Sequence, residues 1–128
     1  MTSFKLYAIV IAVSYLMFGI SLLIIPNEFL SIFGCPLDKY GEMVARTFAA
    51  SLVGSAALHL LLRKYLIQSV IANSIFIGNI IFNCISAPVM LTATIHGTMN
   101  YLGFIPVLLN LFLASYSFLL VIKLRNNL

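Results

Sequence analysis

Arg46 is the side chain with the clearest capacity for chemistry, because it places a formal charge well inside a long apolar stretch. An ionisable group within a membrane span is costly, so a functional role is the default expectation. Glu42 stands four residues earlier, the spacing of a helical ion pair. A guanidinium held in this way can bind a carboxylate or phosphate through two parallel hydrogen bonds. The alternative is that Arg46 reaches the lipid headgroups or ties its helix to a neighbour.

Polar side chains on the other apolar stretches are candidates to complete this site. At about 1.5 Å of rise per residue, Asn83 and Ser86 fall at the depth of Arg46, and Asn110 and Tyr15 fall near the middle of the membrane. Asparagine amides in a membrane also join helices by hydrogen bonds, and this structural role is the alternative. The predicted ligand-binding residues are Arg46, Glu42, Asn79, Asn83, Ser86, Asn110 and Tyr15.

The composition shows what surrounds these residues. Of the 128 residues, 62% are hydrophobic and only 8% are charged, and the mean hydropathy is +1.13. In a soluble domain roughly a quarter of the residues are charged, and these residues are needed to cover its surface. The sequence therefore predicts an integral membrane protein and excludes an ordinary soluble domain.

Four apolar stretches are long enough to cross a bilayer, which takes roughly 20 helical residues. Each is expected to be helical, because a backbone in hydrocarbon must satisfy its hydrogen bonds internally. The first lacks a small-residue cleavage site and is treated as retained. We predict an all-α membrane protein, a single domain over residues 1–128 in which four transmembrane helices form an antiparallel bundle. The predicted spans are 6–25, 44–62, 66–87 and 101–122.

The connections between the spans differ in length. Only residues 63–65 separate the second and third spans, so these two helices are expected to form an antiparallel hairpin. The first connection, 26–41, contains an apolar run from Phe29 that either lies along the interface or is a plain loop. Pro88 either ends the third helix or kinks it, in which case the helix continues to Ile95.

Positive charges predict the orientation. The side of the membrane that holds both termini carries Lys5, Arg63, Lys64, Lys123 and Arg125, against Lys39 and Arg46 on the other. Because Lys and Arg are enriched in cytoplasmic segments, both termini are expected to be cytoplasmic.

Small and polar residues recur at three- and four-residue steps along each span, which predicts the faces where the helices meet. His59 falls about 220° around the helix from Arg46 and is expected near the interface, as is Tyr7. The predicted inward stripes are Ala8, Ala12, Tyr15 and Gly19; Glu42, Arg46, Ala50, Gly54 and Ala57; Ala72, Phe76, Asn79, Asn83 and Ser86; and Gly103, Pro106, Asn110, Ala114 and Ser117.

Other motifs give no indication of a reaction. His59 and His96 fall at opposite ends of the spans and cannot share a metal ion within one chain. Cys35 and Cys84 match no zinc spacing and are expected to be free thiols, with a disulfide between them as the alternative. The sequence holds no phosphate loop or nucleophile elbow. We therefore assign no catalytic residue, metal or cofactor and expect no nucleic-acid partner.

The segment 19–54 resembles the small four-helix bacterial membrane proteins grouped as DoxX-like. The resemblance implies a four-helix fold in the bacterial inner membrane and assigns no residue a role. It is carried by Gly19, Ile25, Pro26, Phe29, Phe33, Gly34, Arg46, Ala49, Ala50 and Gly54.

The function expected first is that of a non-enzymatic membrane protein, either an accessory component or a binder of a small anionic or lipidic molecule at Arg46. Its expected partners are membrane lipids, that small molecule, and a second copy or another membrane protein held through small-residue faces. One alternative is a membrane-embedded enzyme or redox subunit that uses the same polar cluster. The other is a small oligomeric transporter.

Overall fold

The protein is all-α and integral to the membrane. The computed structural model describes residues 3–64 and 69–126, in which four helices are long and apolar enough to cross a bilayer. Besides these, a short helix follows the first span and a 3-10 turn precedes the last. In chain order the elements are α1 (Ser3–Ile24), α2 (Pro26–Ile32), α3 (Lys39–Leu62), α4 (Ser69–Ile95), the 3-10 turn (Tyr101–Gly103) and α5 (Phe104–Asn126).

The helix ends differ from the predicted spans in ways that local chemistry explains. Helix α3 begins at Lys39, because Asp38 caps it by accepting a hydrogen bond of 2.7 Å from the backbone N–H of Gly41. Helix α4 does not end before Pro88 but continues through it to Ile95. It stops where Gly97 adopts a positive φ of 75°, which glycine tolerates without strain.

The four long helices pack as two antiparallel pairs. Helix α1 packs most closely against α3, and α4 packs most closely against α5. We expected the second and third spans to pack against each other as a hairpin. This prediction is wrong, because α3 packs more closely against α1 than against α4. Residues 65–68 of their connection lie outside the described residues. The tight contact in the first pair forms where Gly19 brings α1 against the backbone of α3 at Ala49.

The predicted inward faces are correct for α1 and α5, largely correct for α4, where Ser86 is only partly buried, and wrong for α3. In α3 the predicted stripe through Arg46, Ala50 and Gly54 is exposed. The buried residues are Ala45, Ala49, Leu52, Ala56 and His59. The reason is that Arg46 finds its partner on its own helix and needs no neighbour, whereas the alanines allow close approach to α1.

The two helix pairs are joined at the end of the bundle that holds α2 and the 3-10 turn. This end is here called the loop end. The backbone N–H of Asn100 donates to the carbonyl of Phe33 at 2.7 Å, and its side-chain amide donates to the carbonyl of Ile32 at 2.9 Å. The apolar run from Phe29 is thus part of a helix rather than a plain loop. Cys35 and Cys84 are both free, and Cys35 donates to the carbonyl of Thr98.

Candidate functional site

Arg46 and Glu42 form an ion pair on the outer surface of α3. Their closest side-chain atoms are 3.8 Å apart, and the Arg46 side chain is 51% exposed. Among the described residues, this ion pair is the one polar contact of the guanidinium. The structure does not bring the pair to the asparagines of α4 and α5, so the role of Arg46 as a ligand anchor stays a prediction.

The other predicted site residues lie inside the bundle. Asn79, Asn83, Asn110 and Tyr15 are buried, and Ser86 is partly buried. The side-chain amide of Asn110 donates to the carbonyl of Pro106 on its own helix at 2.7 Å. Asn79 belongs to the polar network described next, and Asn110, Tyr15 and Ser86 line the cleft described below. Asn83 lies beside Tyr15 and lines none of the described cavities.

Four buried side chains from four different helices form a hydrogen-bonded network, here called the polar clamp: Tyr7, His59, Asn79 and Ser117. The amide nitrogen of Asn79 lies 2.9 Å from the hydroxyl oxygen of Tyr7 and 2.8 Å from Nε2 of His59. The Tyr7 hydroxyl also bonds to the hydroxyl of Ser117. Asn79 on α4 therefore joins its own pair of helices to α1 and α3 of the other pair.

The donors and acceptors of the clamp follow from the bonds that His59 and Ser117 make to backbone carbonyls. Nδ1 of His59 lies 2.7 Å from the carbonyl oxygen of Ser55, which can only accept, so Nδ1 carries the proton. Nε2 then accepts from Asn79, and the imidazole is neutral in this arrangement. The hydroxyl of Ser117 donates to the carbonyl of Leu113, so it accepts from Tyr7.

Two members of the clamp, His59 and Tyr7, were expected near the interface, and each lies within about one turn of a helix end, at Leu62 of α3 and at Ser3 of α1. Their side chains nevertheless face the bundle interior, with exposed fractions of 7% and 0%, so the prediction that His59 lies off the inward face of its helix is wrong. The signal for His59 lay in the spacing of small and apolar residues on its helix, because Ala45, Ala49, Leu52 and Ala56 lead to it by the three- and four-residue steps of a buried face. That stripe competes with the one through Arg46, and only the packing of α1 shows which is correct.

Tyr15 lies farther along α1 than the clamp residue Tyr7, toward the middle of the helix. Its ring makes edge contacts with His59 and Phe82, at centroid distances of 5.9 and 5.8 Å. Its hydroxyl lies beside the amide of Asn83, yet Oδ1 of Asn83 has no well-formed hydrogen bond within the described residues. The Asn83 amide nitrogen donates to the carbonyl of Asn79 at 2.7 Å, which fixes its orientation.

A row of cavities, here called the cleft, separates the α1–α3 pair from the α4–α5 pair. Each cavity shares lining residues with the next, such as Asn79 between the first two and Tyr15 between the second and third. The cleft starts beside His59 and the serines Ser55 and Ser74. It ends at the loop end of the bundle.

The largest cavity of the cleft lies at the loop end and is here called the chamber. Its volume is about 470 Å³, within the range of known small-molecule sites. Every residue that lines it is apolar, and Phe29, Leu30 and Phe33 from the segment around α2 close it on one side. An alkyl or prenyl chain suits this lining, because it gains dispersion contacts and leaves no polar atom unpaired.

The polar part of the cleft is neutral. The residues that line the four described cavities include Tyr15, Asn79, Asn110 and several serines, and none of them is Lys, Arg, Asp or Glu. An anion buried here would lack a countercharge, which is costly in a membrane interior. The cleft thus combines an apolar chamber with uncharged hydrogen-bonding groups.

Comparison of the chain with protein-family models, with curated proteins and with solved structures finds no match. The site geometry therefore carries the functional argument.

Proposed function

We propose that this protein binds a lipid-like amphiphile in the cleft between its two helix pairs. The observation that carries the proposal is the cleft itself, in which an apolar chamber of about 470 Å³ adjoins a row of neutral polar side chains. The cleft lies among the spanning helices, so the molecules that can reach it are those dissolved in the bilayer. Both the position of the cleft within the membrane and the chemistry of its lining favour a lipid-like amphiphile.

Filling the chamber is expected to expel the amphiphile. Val44 lines the chamber and Met43 does not, although both side chains are 62% exposed. The Val44→Trp protein should retain about tenfold less co-purified amphiphile than the wild type, a loss of about 1.4 kcal/mol in binding. Native mass spectrometry of protein released from lipid nanodiscs measures this directly.

Met43→Trp is the matched control, since it adds the same ring one residue away. It should leave retention unchanged, and both variants should keep the helical circular dichroism of the wild type. Equal retention by wild type and Val44→Trp would contradict the proposal.

We also propose that both termini face the cytoplasm of a bacterium and that the protein resides in the inner membrane, as a DoxX-like protein would. Support comes from Lys5, Arg63, Lys64 and Lys123, which fall on the side of the termini. A C-terminal green fluorescent protein fusion is then expected to fluoresce, and a C-terminal alkaline phosphatase fusion to be inactive. The reverse pattern would invert the topology.

A further inference from the structure

Three hydroxyl groups line adjoining cavities of the cleft, those of Tyr15, Ser55 and Ser86. Tyr15 lines two adjacent cavities, one of which it shares with Ser55 and the other with Ser86. Within the described part of the chain, neither serine hydroxyl makes a hydrogen bond. Serines on membrane helices usually bond back to a carbonyl on their own helix, as Ser51 and Ser74 do here. The hydroxyl groups of Ser55 and Ser86 are therefore available to hydrogen-bond with a ligand in the cleft.

Asn83 adds a buried acceptor to this group. Its side chain is fully buried, and its Oδ1 lacks a well-formed hydrogen bond among the described residues. Tyr15, whose hydroxyl lies beside this amide, connects it to the two cavities. Asn83 itself lines none of the four described cavities, so a ligand can meet this amide only through the Tyr15 hydroxyl, which can donate to the Asn83 oxygen while it accepts from a ligand hydroxyl.

The depth of these groups restricts the ligand. Tyr15 lies about 18 Å along α1 from Ser3, near the middle of a hydrocarbon layer about 30 Å thick. The charged headgroup of a phospholipid stays at the surface of that layer, because moving a charge to the centre is costly. A small uncharged polar group can be placed at this depth.

The order of the cavities indicates the direction in which the apolar chain of the ligand extends. The chamber adjoins the cavity of Tyr15 and Ser86, and the two share Phe18, Phe48 and Met90 as lining residues. Along α4, Met90 lies about 16 Å from Asn79 toward the loop end. A chain that starts at Tyr15 and follows the cleft therefore enters the chamber.

We infer that the ligand is an uncharged single-chain amphiphile whose hydroxyl or carbonyl oxygen is seated between Tyr15, Ser55 and Ser86, with its chain in the chamber. This inference rests on the proposed function and names the ligand class for the same cleft. It departs from the anionic ligand expected at Arg46, since the cleft offers hydrogen bonds and no positive charge.

Two photoreactive probes with the same alkyl chain test the inference: a diazirine-bearing hexadecanol and the corresponding hexadecyl phosphate. Wild-type protein in phosphatidylcholine nanodiscs is expected to be labelled several times more strongly by the alcohol, at residues of the chamber. Tyr15→Phe should lower labelling by the alcohol roughly three- to tenfold, the effect of one intramembrane hydrogen bond. Ser21→Ala, a partly exposed serine of α1 that bonds to the carbonyl of Met17 and lines none of the described cavities, should leave it unchanged.

The outcomes separate the two proposals. Stronger labelling by the phosphate, or labelling by the alcohol that is the same in wild type and Tyr15→Phe, would overturn the inference about the polar group. If Val44→Trp still retains amphiphile and accepts the probe as the wild type does, the proposed cleft itself is wrong. Thermal unfolding of Tyr15→Phe checks its fold, since phenylalanine keeps the ring that packs against His59 and Phe82.

Discussion

Replacing Asn79 by leucine is expected to lower the free energy of unfolding by about 1–3 kcal/mol, because two hydrogen bonds across helices are lost together. The amide nitrogen donates to Tyr7 on α1 and to His59 on α3. Leucine has similar bulk but leaves the Nε2 of His59 without a donor in a buried position. The change should appear as a lower midpoint in unfolding by sodium dodecyl sulfate, followed by circular dichroism.

Ser74→Leu is the matched control for this substitution. Ser74 lies on the same helix, is exposed, and within the described residues bonds to the carbonyl of Val70 on its own helix. Its replacement should shift the midpoint little, since no contact across helices is lost. If the two variants unfold alike, the polar clamp does not stabilise the bundle, and α4 is joined to the other pair by packing alone.

The elements that the sequence predicted well are those controlled by composition and spacing within one helix. Long apolar runs require helices in lipid whatever their neighbours, so all four spans were found. Asn79, Asn83 and Asn110 were placed inside because amides in hydrocarbon must find partners. The ion pair of Glu42 and Arg46 was likewise predictable, since both partners stand on one helix at the required spacing.

The elements that the sequence did not predict depend on which helices pair. The inward face of α3 was set by Arg46, on the assumption that a charge in a span faces the bundle. The actual face follows the buried Ala49 and Ala56, of which Ala49 meets α1 at Gly19, and it carries His59 inward. The cleft was unpredictable for the same reason, because its width depends on the distance between two pairs of helices and on no local pattern.

Replacing Gly19 by leucine is expected to have the largest effect on the fold. A Cβ atom at Gly19 would lie 2.9 Å from Cγ2 of Val53 and 3.2 Å from the carbonyl oxygen of Ala49. The Val53 side chain can rotate, but the Ala49 backbone cannot move without displacing α3. We expect a loss of about 3 kcal/mol or more in the free energy of unfolding, at the upper end of overpacking effects. Unfolding by sodium dodecyl sulfate measures this loss.

Gly54→Leu separates this steric effect from the general effect of adding leucine. Among the described residues, no atom beyond the adjoining backbone of its own helix lies within 4 Å of a Cβ built at Gly54, so this variant should remain within about 0.5 kcal/mol of the wild type. Because α1 and α3 both line the chamber, Gly19→Leu should also lower the retention of amphiphile, while Gly54→Leu should not. Full stability of Gly19→Leu would mean that α1 and α3 do not meet at Gly19. The chamber, whose walls they share, would then have another shape, and the proposed binding would lose its structural basis.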